Sequence, residues 1–147
     1  MTTLITDKDY YNLMKDIDTA TLENTLVKEL TDRKLKISSA ESCTGGMISQ
    51  RITNVSGASN VFELGVCSYA NRIKNKVLGV NNETLNTVGA VSEETATQMC
   101  EGIKELSSSD IGVSTTGIAG PTGGTAKKPV GLVFIGIATK ESTTIYR

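Results

Sequence analysis

Short apolar runs alternate with amphipathic helical stretches along most of this chain, and this alternation restricts the possible fold more than any other feature. Residues 130–138 form an almost continuous apolar run, which is typical of a strand buried on both faces of a sheet. Shorter strands are predicted at residues 36–40, 64–69, 111–115 and 143–146. The alternation predicts one three-layer α/β/α domain with a mostly parallel or mixed central sheet.

The stretches between the strands carry apolar residues at helical spacing. The clearest helix is predicted to begin at Ser92, with Glu93 and Glu94 in the first turn, where the helix dipole favours acidic side chains. Asn71 is predicted to cap a short helix that runs to Leu78. The apolar stripe of the helix after Ser92 consists of Ala96, Met99, Cys100, Ile103 and Leu106.

The length of 147 residues fits a single domain. Residues 1–20 are polar and weakly patterned, so we interpret them as a polar leader, loosely attached to a domain at residues 21–147. No apolar stretch follows a basic start, and none reaches the roughly 18 residues of a membrane span. We therefore expect a cytoplasmic protein without a membrane partner.

The charge and the reactive side chains exclude several classes of protein. The net charge is −1 with no basic block, which argues against direct nucleic-acid binding. The chain has no His, so His-based triads and His metal ligands are excluded. The three cysteines form no CxxC pair and are interpreted as buried small hydrophobic residues. No carboxylate pair has metal-ligand spacing, and we predict neither a metal nor a cofactor.

The first chemical cluster, residues 42–46, follows a predicted strand and precedes a helix. Its hydroxyls and two glycines suit an anion site, because free backbone N–H groups at a helix start point toward a ligand. The alternative is a plain helix cap with a tight turn. Glu41 and Glu63 are the acidic residues that we expect at a site, because each flanks a cluster.

The other clusters also follow predicted strands, where open α/β sheets place their sites. Ser59 is either a nucleophile or a helix cap. Tyr69 and Lys74 are predicted to project toward one cleft, and a desolvated lysine can replace histidine as a base. The alternative for Lys74 is a solvated helix lysine. Residues 117–125 are a glycine-rich loop that either binds a ligand through its backbone or simply connects two strands.

Taken together, these clusters resemble the C-terminal domain of the CinA family, also known as the PncC nicotinamide-nucleotide amidases. They occur in the order and at the spacing of the family over residues 40–131. The matching motifs are Ala40-Glu41-Ser42-Cys43-Thr44-Gly45-Gly46, Gly57-Ala58-Ser59, Tyr69-Ala70-Asn71 with Lys74, Gly89-Ala90-Val91-Ser92-Glu93-Glu94, Thr116-Gly117-Ile118-Ala119-Gly120-Pro121, Gly123-Gly124 and Lys128-Pro129-Val130-Gly131.

The resemblance implies hydrolysis of the carboxamide of nicotinamide mononucleotide to nicotinate mononucleotide and ammonia by a homodimer. It implies Ser59 as nucleophile, Lys74 as base and Tyr69 as a further catalytic residue. The substrate-binding residues that it implies are Ser42, Thr44, Gly45, Gly46, Asn71, Thr116, Gly117, Gly120, Gly123 and Gly124.

The sequence departs from the family pattern at two places. Ala58 stands where the family has serine. The chain stops at Arg147, before the Gly-Asp-Arg motif and the terminal helix of the family, so phosphate binding would fall to Arg147, Lys127 or Lys128, and apolar sheet surface would stay uncovered. A second hypothesis is therefore a truncated, inactive nucleotide-binding module. A third, a DNA-uptake or repair module, is disfavoured by the balanced charge and the scarcity of aromatic residues.

Overall fold

From residue 22 onward, the secondary structure follows the predicted alternation of helices and strands. The computed structural model of the protein describes residues 2, 3, 6, 8 and 22–147. Most of the predicted leader at residues 1–20 lies outside these residues. Of the leader, Thr2–Thr3 form a two-residue strand, β1.

Within residues 22–147 the structure has five helices, one 3₁₀ turn and five strands. The helices are α1 (Leu22–Arg33), α2 (Met47–Thr53), α3 (Asn71–Leu78), α4 (Asn82–Thr87) and α5 (Glu93–Ser107), and the 3₁₀ turn is Ala58–Asn60. The strands are β2 (Ile37–Glu41), β3 (Phe62–Cys67), β4 (Ile111–Gly117), β5 (Val133–Ala138) and β6 (Thr143–Tyr146).

The strands form one mixed sheet in the order β1-β6-β5-β4-β2-β3. Strand β2 pairs in parallel with both β3 and β4, whereas β5 is antiparallel to β4 and to β6. Strand β1 adds to the edge of the sheet, parallel to β6. The predicted α/β fold with a mixed central sheet is therefore confirmed.

Helix α5 covers one face of the sheet at close range. The Ser114 hydroxyl of β4 donates a hydrogen bond to the Ala96 carbonyl of α5 at 2.6 Å. A Cβ atom added at Gly112 would lie 2.1 Å from the Cys100 carbonyl oxygen. Glycine is therefore needed at position 112, because the helix backbone occupies the space of a side chain.

The core has a layer on each side of the sheet. On the α5 side, Met99 and Ile103 are fully buried and pack with Ala40, Leu78 and Leu85. On the other side, helices α1 and α2 cover the sheet around β2, and this second layer contains Val27, Leu30, Ile37, Ile52, Ala58 and Val61. The two layers flank the sheet as the predicted three-layer architecture requires.

Two details of the helices differ from the sequence predictions, and a third agrees with them. Leu106 was placed on the buried stripe of α5, but 53% of it is exposed, in the last turn of the helix. Asn71 is the first residue of α3 rather than its cap, and Ala70 holds the cap position without a side-chain hydrogen bond. Ser92 caps α5 as predicted, accepting a hydrogen bond from the Thr95 N–H.

The three parallel strands β2, β3 and β4 end at one edge of the sheet. The residues that follow them therefore meet there: Ser42 after β2, Ser68 and Tyr69 after β3, and Ile118 after β4. No helix in the described part of the chain is long and apolar enough to cross a membrane.

Candidate active site

A cavity of about 300 Å³ lies at the carboxyl ends of β2, β3 and β4. Two side chains predicted from the sequence, Ser42 and Lys74, meet at this cavity. The lining residues are Ser42, Cys43, Tyr69, Lys74, Ala90, Val91, Thr116, Gly117, Ile118, Ala119, Gly120, Thr122 and Gly123. The cavity lies just after the strands, where the site was expected from the sequence.

Lys74 is the largest fully buried side chain, with 1% of its surface exposed. It lies on the inner face of α3, one turn before the buried Leu78. Its Nζ donates hydrogen bonds to the Ser42 Oγ at 2.9 Å, to the Ser68 carbonyl at 2.6 Å and to the Tyr69 carbonyl at 3.3 Å. The alternative of a solvated helix lysine is therefore excluded.

The environment of Lys74 favours the neutral amine. Burial lowers the pKa of Lys74, and the neighbouring Cys43 and Cys67 oppose this shift only in part. An amine with a lowered pKa can accept a proton from a hydroxyl group that it touches. The Ser42 hydroxyl is in that position.

Ser42 is held rigidly at the end of β2. Its N–H donates a hydrogen bond to the Thr115 carbonyl at 3.0 Å, and its own carbonyl accepts one from the Gly45 N–H at 3.2 Å. Only 8% of Ser42 is exposed, and that part faces the cavity. The serine thus has a fixed backbone, a basic partner and access to a small molecule.

The predicted anion site at the start of α2 is already occupied by the chain itself. The Glu41 carboxylate accepts hydrogen bonds from the N–H groups of Gly46, Ile48 and Ser49 at 2.8–3.0 Å. It also accepts hydrogen bonds from the hydroxyls of Thr44 and Ser49. Burial alone would raise the pKa of Glu41, but these hydrogen bonds outweigh it and the pKa is lowered. Thr44, Gly45 and Gly46 do not line the cavity, and their expected role in substrate binding stays a prediction.

Ser59 does not contact Lys74 within the described chain, so the expected Ser59–Lys74 pair is corrected. Ser59 lies in the 3₁₀ turn before β3, whereas Lys74 follows β3. Strand β3 has six residues, which at about 3.3 Å per residue separates its ends by roughly 17–20 Å. Ser59 is exposed at the opposite edge of the sheet from the cavity.

The remaining predicted residues divide between the cavity and the surface. Thr116 is 1% exposed, and its hydroxyl donates a hydrogen bond to the Ala90 carbonyl at 2.6 Å. Tyr69 lines the rim, with 76% of its surface exposed. Gly117, Gly120 and Gly123 line the cavity as expected, whereas Asn71 and Gly124 do not.

The acidic residues expected at the site have other roles. Glu63 forms a partly exposed ion pair with Lys36 at 3.0 Å, away from the cavity. Glu41 points into the start of α2, as described above. No group of three or more Cys, Asp or Glu residues in the described part of the chain could hold a metal ion.

The position of Cys43 in the cavity wall was not expected from the sequence. All three cysteines were expected to be buried, but only Cys100 is, and burial raises its pKa to about 11. Cys67 is exposed, and Cys43 is partly exposed in the cavity wall. Burial also raises the pKa of Cys43, which keeps it a thiol rather than a nucleophilic thiolate. Its place directly after Ser42 was the available signal.

A second cavity shares Val91 with the first and is lined by Lys128 and Arg147. Its lining also includes Glu93 and Glu94, so positive and negative side chains are balanced there. Lys127, the third residue considered for phosphate binding, is exposed and lines neither cavity.

A sequence profile described as the CinA C-terminal domain matches residues 19–147. The chain belongs to the CinA C-terminal domain family. The recognition made from the sequence motifs is thereby confirmed.

Solved structures of family members share the fold of this CinA domain. The competence/damage inducible protein CihA of Agrobacterium tumefaciens is 42% identical with a TM-score of 0.83, over 84% of this chain and 76% of that chain. The competence damage-inducible protein A (ComA) of Klebsiella pneumoniae is 31% identical with a TM-score of 0.84, over 88% of this chain and 80% of that chain.

The chain spans about a third of the length of the curated relatives that it matches. A CinA-like protein of Kosmotoga olearia is 52% identical over 124 residues, which are 84% of this chain and 30% of that protein. The two solved structures are named as competence/damage-inducible proteins and the Kosmotoga relative as a CinA-like protein, and these names specify no reaction. The chemistry of this CinA domain has to be argued from its cavity.

Proposed function

We propose that this CinA domain hydrolyses the carboxamide of nicotinamide mononucleotide to nicotinate mononucleotide and ammonia. The observation that carries the proposal is the buried Lys74 amine, 2.9 Å from the Ser42 hydroxyl in the wall of an open cavity. A serine paired with a desolvated lysine is the arrangement of serine amidases that lack histidine.

In the proposed mechanism Ser42 is the nucleophile and Lys74 is the general base. Neutral Lys74 takes the proton of the Ser42 hydroxyl while the Oγ attacks the carboxamide carbon. The tetrahedral intermediate collapses, and the protonated Lys74 delivers its proton to the nitrogen that leaves as ammonia. Lys74, neutral again, deprotonates a water molecule that attacks the ester on Ser42. Nicotinate mononucleotide leaves, and the proton returns to the Ser42 oxygen.

The charge of the substrate supports this role of Lys74. Lys74 is the one acidic or basic residue among those that line the cavity. The pyridinium ring of the substrate is a cation, so its approach disfavours a second positive charge on the buried amine. Substrate binding would thus lower the pKa of Lys74 further and prepare it to accept a proton.

The size and the walls of the cavity also fit a mononucleotide. A volume of about 300 Å³ is at the lower end of the range for small-molecule sites, and it is open to solvent on one side. Backbone of the loop Gly117–Gly123 forms one wall and can approach a ligand closely, because most positions there have small or no side chains. We propose that the ring binds next to Ser42 and the ribose phosphate extends outward.

Ammonia release from nicotinamide mononucleotide by single-site variants tests the mechanism. We expect Ser42→Ala and Lys74→Met to lose turnover by at least about 1,000-fold, because each removes half of the reacting pair. We expect Ser59→Ala, at the opposite edge of the sheet, to keep nearly full activity. Thermal unfolding of each variant controls for loss of the fold.

Two results would overturn parts of this proposal. Loss of activity in Ser59→Ala together with full activity in Ser42→Ala would return the nucleophile to Ser59. Stabilisation by nicotinamide mononucleotide without ammonia release, measured by thermal shift, would instead indicate a nucleotide-binding module without turnover. The homodimer implied by the family resemblance stays a prediction, and light scattering of the purified protein would test it.

A further inference from the structure

Two segments that are distant in sequence face each other across the cavity. One is the glycine-rich wall, residues 117–123, which follows β4. The other consists of residues 88–91, between α4 and α5, and is called the 88–91 wall. It contributes Ala90 and Val91 to the lining. The spacing between these walls determines how closely the cavity can fit a ligand.

The 88–91 wall is held to the body of the protein by side chains. The Thr116 hydroxyl donates to the Ala90 carbonyl at 2.6 Å, and the Thr95 hydroxyl donates to the Gly89 carbonyl at 2.8 Å. Both threonines are buried in the sheet or in α5. These two bonds hold the 88–91 wall in place.

The glycine-rich wall is fixed mainly at its base. The Ile118 N–H donates to the Leu132 carbonyl at 2.9 Å, and the Gly131 N–H donates to the Ile118 carbonyl at 2.8 Å. Beyond this base, residues 121–127 are all exposed. A loop attached only at its base retains many conformations, and ordering it would cost part of the binding free energy.

Lys128 provides a second attachment at the far end of this loop. Its Nζ donates a hydrogen bond of 2.6 Å to the Val88 carbonyl, on the opposite wall. Reciprocal hydrogen bonds with Thr125, at 2.7 and 3.0 Å, hold the backbone of Lys128 in a tight turn. Gly89, with a φ of +82°, forms the turn next to Val88, and its Cα hydrogen faces the Lys128 amine.

We propose that Lys128 is a positioning residue that latches the glycine-rich wall to the 88–91 wall and thereby sets substrate affinity. Lys128 does not line the Ser42–Lys74 cavity, so it acts through the loop and not on the reacting atoms. The expected effect on substrate affinity rests on the proposed function, whereas the ordering of the loop by Lys128 does not. The latch orders the loop before substrate arrives, so its loss weakens binding of substrate and transition state to the same extent.

The kinetic test compares Lys128→Met, Lys128→Arg and the matched control Lys127→Met. Lys127 is the exposed neighbour of Lys128 and lines neither of the two cavities. We expect Lys128→Met to raise the KM for nicotinamide mononucleotide about tenfold, the loss typical of a partly exposed, charge-assisted hydrogen bond. The value of kcat should stay within about twofold, since the Ser42–Lys74 pair is untouched. Lys128→Arg keeps a donor and should recover most of the affinity.

A second measurement tests the latch without substrate. Amide hydrogen exchange of the full chain should be faster over residues 117–124 in Lys128→Met than in the parent protein and in Lys127→Met. A lysine that acted only by binding phosphate would leave this exchange unchanged in the nucleotide-free protein. This measurement also decides the inference if the parent protein releases no ammonia, a result that would contradict the proposed function alone.

Three outcomes would overturn the latch. Unchanged exchange over residues 117–124 in Lys128→Met would show that the hydrogen bond to Val88 does not order the loop. A fall in kcat equal to the rise in KM, or a general loss of thermal stability without recovery in Lys128→Arg, would show a merely structural role.

Discussion

The buried amine of Lys74 is costly for the fold, and the structure offsets this cost with three acceptors. Two of them are backbone carbonyls at the end of β3, and the third is the Ser42 hydroxyl. A lysine amine away from water is held neutral or needs such partners. The same burial that costs stability lowers the pKa of Lys74, as the proposed role of a general base requires.

The pH dependence of the reaction should report this shifted amine. Burial places the pKa of Lys74 below its usual value of 10.5. The base must be neutral to act, so kcat/KM should rise with pH and reach a plateau above the lowered pKa. Below that pKa we expect a low rate, because protonated Lys74 cannot accept the serine proton.

Steady-state ammonia release between neutral and alkaline pH measures this profile. Lys76→Met is the matched control, because Lys76 lies on the same helix but is exposed, and it should leave the profile unchanged. A profile whose rising limb lies at or above pH 10.5 would contradict a buried, shifted base.

At the scale of elements, the junction of β2 and α2 is organised around Glu41. The carboxylate is 1% exposed and accepts bonds from the first turn of α2, where N–H groups have no partner within the helix. Negative charge at this position also complements the helix dipole. The residue thus fixes the angle between strand and helix, and Ser42 is placed at that bend.

We expect Glu41→Gln to destabilise the protein by about 3 kcal/mol, because the amide replaces an acceptor oxygen with a donor facing buried N–H groups. Chemical denaturation at neutral pH measures the loss. The matched control is Glu63→Gln, which breaks a partly exposed ion pair and should cost less than about 1 kcal/mol. Equal losses of unfolding free energy in the two variants would contradict the role of Glu41 as a buried acceptor for the N–H groups of α2.

The lowered pKa of Glu41 also predicts how the stability of the protein depends on pH in acid. The pKa of Glu41 is lowered from 4.5, so its contribution to stability is present above that value and is lost as pH falls through the folded pKa. The free energy of unfolding of the parent should therefore fall more steeply below pH 4.5 than that of Glu41→Gln.

At the scale of the whole molecule, the two faces of the sheet are covered unequally. Helix α5 spans β2, β4, β5 and β6 on one face. On the other, α1 and α2 pack around β2, and no described helix covers β5, whose Ile135 is 36% exposed. An apolar cavity of about 430 Å³ on this second face includes Val113 and Ile137.

This asymmetry predicts different costs for equivalent truncations. We expect Ile103→Ala, at a fully buried position of α5, to cost about 3 kcal/mol, and Ile135→Ala to cost less than about 1 kcal/mol. Urea denaturation of both variants measures the two values. A cost for Ile135→Ala as large as that for Ile103→Ala would show that Ile135 is packed in solution.

Local periodicity was enough to predict most elements, because the spacing of apolar residues that marks a helix or a strand involves only residues close together in the sequence. The helix after Ser92, its cap and the strands on each side of it follow from such spacing. The location of the candidate site could also be predicted from the sequence, because clusters that follow parallel strands lie at one edge of the sheet. The glycine-rich loop and Lys74 were found in this way, and the family motifs gave the family.

The sequence by itself thus determined the order of elements, the family and the edge of the sheet that carries the site. Only the tertiary structure decided which serine meets Lys74, because Ser42 and Ser59 stand at opposite ends of parallel strands whose pairing is non-local. It also decided that Glu41 takes the N–H groups of α2. Hydrogen-bond partners depend on strand order and helix placement, which no short motif records.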